Sequence, residues 1–212
     1  MPRVLAVGAH PDDIEMGCGG TLAMHAASGA QVTMLVLTTG QAGPGEVSRR
    51  TKEAQDAADK LGARLIIGGL PDGGVTAGYE TVQHIEAVIR EVDPTIIYTH
   101  SEHDSHQDHR ATAAATIAAG RQSPTIIHYQ SPSSRAFDPC LFIDIEDFLS
   151  TKVAALACHV SQVVESSMVD LDQQGINAEY WGRLARCRYA EPFEITRVRL
   201  RQGGRKELGV EI

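Results

Sequence analysis

The chain is poor in aromatic residues, with one tryptophan, five tyrosines and four phenylalanines among 212 residues. It lacks a basic excess as well. Lys and Arg number 19 against 27 Asp and Glu, a formal net charge of −8, so no overall positive field draws nucleic acid or an anionic membrane. No apolar run approaches the ~18–20 residues that a membrane span requires. The four cysteines, Cys18, Cys140, Cys158 and Cys187, are scattered with no CxxC pair. That spacing argues against a thiolate zinc site and a disulfide framework, and leaves each cysteine as a small buried apolar residue. Met-Pro-Arg runs directly into an apolar segment, leaving no room for a cleaved leader. These absences predict a soluble, cytoplasmic protein with no nucleic-acid or membrane partner.

What is present is ordinary in amount. At 42% hydrophobic and 22% charged, the composition is that of a globular protein, and the length suits one well-buried domain. Strands are expected over residues 4–8, 32–38, 65–67, 95–99 and 125–129. Helices are expected over 19–28, 48–61, 81–92 and 109–120, with Gly29, Gly62 and Asp93-Pro94 as stops. Such alternation makes βαβ units. The expected fold is therefore α/β, a mostly parallel sheet with helices on both faces, in a single domain. Beyond residue 131 the pattern loosens. A strand over 141–145, helices over 146–160 and 179–186, a closing strand over 193–200 and a loose tail at 202–207 are expected there.

Two segments concentrate chemistry. Ala9-His10-Pro11-Asp12-Asp13-Ile14-Glu15 follows the first strand, and His100-Ser101-Glu102-His103-Asp104-Ser105-His106-Gln107-Asp108-His109 follows the fourth. Ligands of parallel sheets bind outside the carboxyl ends of the strands, at a switch point, so both clusters point to one edge. His10 and Asp13 are three residues apart, as are His106 and His109. On a helical turn such pairs share a face and can grip one ion. Two nitrogens, one oxygen and an open position for water make a ligand set typical of catalytic zinc. Other divalent transition metals accept that set, whereas calcium and magnesium prefer oxygen alone.

Each cluster also has a plainer reading. An Asp-Asp pair after a strand caps the next helix, and the second segment alone is a polar loop. Their joint occurrence at matched positions favours the metal. Gly17-Cys18-Gly19-Gly20 lacks GxGxxG spacing and a P-loop lysine, so it reads as close helix–sheet approach rather than a phosphate cradle.

Taken together, these segments resemble the PIG-L/LmbE-like zinc-dependent N-acetyl-sugar deacetylases. The match adds Arg50-Thr51-Lys52-Glu53-Ala54 leading to Ala57-Ala58 and Leu61-Gly62, and it runs in order through the first 120 residues. The resemblance implies a Rossmann-like domain, with the metal site in residues 1–130 and a variable part in 131–212. It implies a small-molecule N-acetyl amino-sugar substrate, Zn2+ as cofactor and relatives that often form homo-oligomers. His10, Asp13 and His109 would be the metal ligands and Asp12 the general base. His106, oriented and held charged by Asp108, would stabilise the oxyanion or protonate the leaving amine. Arg50 matches a position near the substrate. Gln107 departs from the family, which usually carries proline there.

Other residues carry weaker signals. Arg135 sits in a loop that can reach the mouth of the site and is a second substrate-contact candidate. His103 and Asp104 are assigned to the rim, and His25, His84, His128 and His159 to structure. Trp181 with Tyr180 is suited to stacking on a sugar ring, and equally to packing in a core or interface. Two alternatives stand beside the deacetylase: hydrolysis of another amide or acyl group in secondary metabolism, and a non-catalytic Rossmann-like ligand-binding protein.

Overall fold

A computed structural model describes residues 1–165 and 169–199. The elements run β1 (Arg3–Gly8), α1 (Asp13–Ala27), β2 (Gln31–Thr38), α2 (Val47–Leu61), β3 (Ala63–Leu70), α3 (Tyr79–Val92) and β4 (Ile96–His100). Then come α4 (Gln107–Ala119), β5 (Ile126–Tyr129), β6 (Leu141–Asp144), α5 (Leu149–Leu156), a π turn (Ser161–Glu165), α6 (Leu171–Ala185) and β7 (Ala190–Arg197). No described helix is long and apolar enough to cross a membrane.

The seven strands form one sheet in the order β3-β2-β1-β4-β5-β7-β6. The pairings among β1 to β5 are all parallel, and β7 runs against both its neighbours. The chain winds outward from β1 to β3 and then returns to lay β4 against the other side of β1. The strand order therefore reverses between β1 and β4, the crevice where doubly wound sheets bind ligands.

Alternation along the strands builds two core layers. Val4, Ala6, Met34, Val36, Ile96 and Tyr98 meet Ile14, Leu22, Ala57 and Leu61 of α1 and α2 on one face. Leu5, Val7, Leu35, Leu37 and Ile97 meet Ile85, Val88, Ala115 and Ala119 of α3 and α4 on the other. Both faces are covered, which is why these strands read as continuous apolar runs.

Several boundaries differ from expectation, each for a visible reason. α1 starts at Asp13 rather than at residue 19, and it is kinked at Cys18 (φ −145°, ψ 21°). Its glycines hid the first turns from the sequence pattern. α6 starts at Leu171 rather than 179, because the Asp170 carboxylate accepts from the Asp172 and Gln173 amides (3.0 and 3.2 Å) and caps it. α5 is shorter than 146–160 because the Asp144 carboxylate takes the Glu146 amide in a preceding turn (2.9 Å) and the chain enters the π turn after His159. Leu200 and the tail at 202–207 lie outside the described residues. Of the cysteines only Cys18 is buried; Cys140 is exposed and the other two are half-buried.

The glycine-rich stretch of α1 is a packing device. A Cβ on Gly17 would come within 2.1 Å of the Tyr129 ring, and one on Gly20 within 2.9 Å of Ile145. The amides freed at the kink are taken by Glu191 of β7, which accepts from Gly20 N–H (3.0 Å), Thr21 N–H (2.7 Å) and the Thr21 hydroxyl (2.6 Å). A carboxylate of the chain itself thus occupies the position where a phosphate would sit. Lys152 neutralises it at 2.6 Å.

His25, at 4% exposure, faces the Tyr98 hydroxyl at 3.0 Å. Burial pushes its pKa down to about 4. Below about pH 6.5 the unfolded chain binds a proton here that the folded chain refuses, so stability falls from there to pH 4 and no further. Between pH 7.5 and 4.5, His25→Gln is expected to lose about 2–3 kcal/mol less unfolding free energy than wild type. Equal losses in urea titrations of both proteins would discard this assignment.

Candidate metal centre

The loop after β1 and the first turn of α4 bring the two clusters together at the switch point. Asp13, the first residue of α1, is the hub. Its Oδ2 accepts the His10 backbone N–H (2.7 Å) and lies 3.3 Å from His10 Nδ1. Its Oδ1 lies 3.3 Å from His109 Nε2. The rings of His10 and His109 are 5.4 Å apart. Asp13 thus touches both His10 and His109. The described sets whose ligand atoms all lie within 4.8 Å of one another, however, are His10, His106 and His109; Asp13, His100 and His109; and His10, Asp72 and Asp108. The expected trio of His10, Asp13 and His109 is divided between the first two.

The far side of each imidazole is held by carboxylates. Among the described residues His10 Nε2 faces only acceptors, Asp72 Oδ1 at 3.0 Å and Asp108 Oδ2 at 3.3 Å, so it carries hydrogen and leaves Nδ1 for a cation. His109 Nδ1 faces Asp104 Oδ2 at 3.1 Å, which leaves Nε2. Carboxylates behind ligand imidazoles fix tautomer and ring orientation in metal sites. Asp104→Asn is accordingly expected to weaken metal affinity about 10–100-fold while the fold persists. An unchanged dissociation constant in a competitive chelator titration would remove Asp104 from this role.

Electrostatics agree with that demand for positive charge. Burial opposes a charged His10, but Asp13 and Asp72 outweigh it and push the pKa up to about 9. Burial likewise opposes a charged His109, and Asp13 with Asp104 pushes it up to about 10. Asp13 is held well below the usual carboxylate range, burial being overcome by His109, His100 and His10. Two protons thus sit where a divalent cation would displace them. The donor set fits zinc or a similar transition metal.

His100 lies close to Asp13 (3.2 Å), yet its Nε2 accepts the Ala9 amide (3.1 Å) and it is fully buried. Burial, with the His109 charge, pushes it down to about 4. It packs flat under His109, with ring centroids 4.0 Å apart, and supports the centre from beneath.

Asp12 is different. It is half-buried, and its carboxylate takes no hydrogen bond among the described residues. Loss of water, then the charge of Asp13, pushes its pKa up to about 7. Its backbone is left-handed (φ 97°, ψ −26°), a conformation that costs a non-glycine residue about 1–3 kcal/mol and concentrates at functional sites. Arg50 helps hold that turn. It is 4% exposed, and its guanidinium donates to the carbonyls of Gly40 and Pro11. The expected substrate arginine thus grips the backbone beneath Asp12. Arg135 is exposed on the outer loop, tied by its amide to His103 O (2.6 Å).

The expected partnership of His106 and Asp108 takes another form. Residues two apart on a helix do not face each other. The Asp108 carboxylate turns to His10 and to the Gly73 amide (2.7 Å), while its own backbone N–H donates to His106 Nδ1 (3.2 Å). His106 thus caps α4 with its ring. Burial, then the charges of His109 and His10, pushes its pKa down, which favours the neutral imidazole, and at the exposed mouth its Nε2 takes no hydrogen bond among the described residues. Gln107, in place of the family's proline, donates to Gly73 O (2.7 Å) and ties the Asp72 loop to α4.

Asp72 escaped the sequence reading, and Asp104 was placed at the rim. The turn Leu70-Pro71-Asp72-Gly73-Gly74 offered the signal for Asp72, since Asp in such a turn ordinarily serves the turn itself. His159 is structural as expected, paired with Glu15 at 2.9 Å with both 1% exposed.

Fold and site together define a class, a doubly wound α/β protein whose switch point gathers imidazoles and carboxylates as metal centres do. The chain belongs to the PIG-L family of GlcNAc-PI de-N-acetylases, whose profile matches residues 5–120. It is 35% identical to the uncharacterised deacetylase YaiS of Escherichia coli (strain K12), over 74% of this chain and 90% of that one. It is 31% identical to the diacetylchitobiose deacetylase of Thermococcus kodakarensis, over 89% and 81% respectively. The crystal structure of the conserved protein TT1542 from Thermus thermophilus superposes with a TM-score of 0.85 at 30% identity, covering 96% of this chain and 98% of that one.

Proposed function

We propose that the protein is a zinc-dependent N-deacetylase that removes the acetyl group from a small molecule or conjugate containing N-acetylglucosamine. The observation that carries this reading is the gathering of His10, His106, His109 and Asp13 at one edge of the sheet beside Asp12, whose carboxylate takes no hydrogen bond among the described residues. Family membership and the diacetylchitobiose deacetylase relative support the substrate class. When bound, zinc would acidify water and polarise a carbonyl oxygen.

The chain's own groups divide the remaining work. Asp12, crowded by Asp13 and short of water, takes the proton of the attacking water as general base. The C–N bond breaks only when nitrogen leaves as an amine, so Asp12 then returns that proton to it. Acetate and the free amino sugar result. His106 Nε2–H then donates to the negative charge that develops on the acetamide oxygen. A neutral imidazole serves this task, and its cap on α4 fixes the tautomer that carries hydrogen at Nε2. Asp72, Asp108 and Asp104 hold the ligand imidazoles, and Arg50 holds the turn.

The test is amine release from N-acetylglucosamine and its conjugates by zinc-loaded protein. Equal amounts of amine and acetate are expected, abolished by chelation and restored by zinc. No release from any of these substrates would end the deacetylase reading.

A further inference from the structure

The scarce aromatic residues are not spread evenly. Phe137, Phe142 and Tyr180 have ring centroids 6.3, 6.1 and 4.9 Å from that of Trp181, so four of the ten aromatics meet outside the core. None of the four is fully buried, and Tyr180 is 59% exposed. Beside them opens a cleft of about 350 Å³ between the end of β5 and α6, lined by Trp181, Gln130, Gln174 and Asn177 and floored by Lys152 and Glu191. Neither core packing nor the metal centre accounts for it.

Its chemistry is selective. Among the described residues, Lys152 and Glu191 are the only charged side chains in the lining. They are paired at 2.6 Å, and Lys152 also donates to Met16 O at 2.7 Å. Among the described residues of the lining, no free cation awaits a carboxylate or phosphate. The three amide side chains offer donors and acceptors suited to hydroxyl groups. The Trp181 indole N–H donates to Gln130 Oε1 (3.1 Å), which fixes the ring and leaves its face for contact. An aromatic face with amides and no net charge suits a ring with an apolar C–H face and a hydroxyl rim.

The cleft also adjoins the reaction centre. Ser131, in its wall, hydrogen-bonds Asp104, the residue behind His109. Ser105 N–H donates to Ser133 O (3.0 Å), so the wall and the loop leading to His106 are joined. β5 lies next to β4, and the cleft continues the carboxyl edge of the sheet from the metal centre.

We propose that this cleft binds the neutral polyhydroxylated ring, pyranose or cyclitol, to which the acetamido sugar is linked. The proposal rests on the deacetylase reading for its substrate, but binding can be tested without hydrolysis. Trp181 is the only tryptophan in the chain, so intrinsic fluorescence reports on the cleft directly. Titration of zinc-loaded protein with the deacetylated disaccharide chitobiose and with glucosaminyl-inositol is expected to give a saturable change that glucosamine does not. Saturation by the disaccharide alone assigns a pyranose, and by the inositol conjugate alone a cyclitol. An equal response to glucosamine, or no response to either conjugate, overturns the proposal even if the enzyme deacetylates. Trp181→Ala and the milder Asn177→Ala are expected to lower the ratio of kcat/KM for the acetylated conjugate over that for N-acetylglucosamine, about tenfold for Trp181→Ala. An unchanged ratio in folded variants contradicts it. Absence of all hydrolysis, with the fluorescence change intact, sinks the deacetylase reading and leaves the cleft assigned.

Discussion

Asp12→Asn is expected to keep its metal and to lose about 10³-fold or more in acetamide hydrolysis. Asparagine is nearly isosteric and, after glycine, is among the residues that best tolerate a positive φ, so the turn at 97° should survive. The ligand residues keep their contacts, because the Asp12 carboxylate makes no hydrogen bond among the described residues. What disappears is the ability to accept a proton. An amide cannot perform that step, and no neighbour replaces it, since Asp13 is held well below the usual carboxylate range and Glu15 is committed to His159. Amine release by the purified variant, measured beside its zinc content, checks both halves. Normal turnover would remove Asp12 from the chemistry.

Asp13→Ala is expected to do the reverse and abolish metal retention, with affinity down by more than about 100-fold. Asp13 stands between His10 and His109 and also accepts the His10 amide at 2.7 Å. Its loss removes a ligand, one negative charge and the bond that orients the loop. The two imidazoles would then repel each other when protonated and diverge when neutral. His109→Ala should behave similarly. Stoichiometric zinc in both variants after dialysis would refute the ligand set.

The βαβ rhythm was plain in the residues because strands covered on both faces must be apolar throughout, as 32–38 is. His10 and Asp13 were legible as candidates because they follow β1 at the switch point, whereas the choice of His109 over His106, both at the start of α4 beyond β4, came only from the family resemblance. Asp72 was not, because its pairing with His10 joins residues 62 apart through a glycine-rich turn whose shape no pattern encodes. Asp108 was misdirected for a local reason. Proximity in sequence suggested His106, while helical geometry turns the carboxylate toward His10. The glycines of α1 could be read as packing positions, but their capping carboxylate, Glu191, comes from a strand about 170 residues later. The first turns of α6 lacked a helical signature because polar residues and Gly175 fill them.

Anomalous diffraction at the zinc edge from zinc-loaded crystals tests the central claim most directly. One peak per chain is predicted, about 2.0–2.2 Å from His10 Nδ1, an Asp13 oxygen and His109 Nε2. A peak held by His10, His106 and His109 with Asp13 outside ligand distance, or none at this edge of the sheet, would contradict the account.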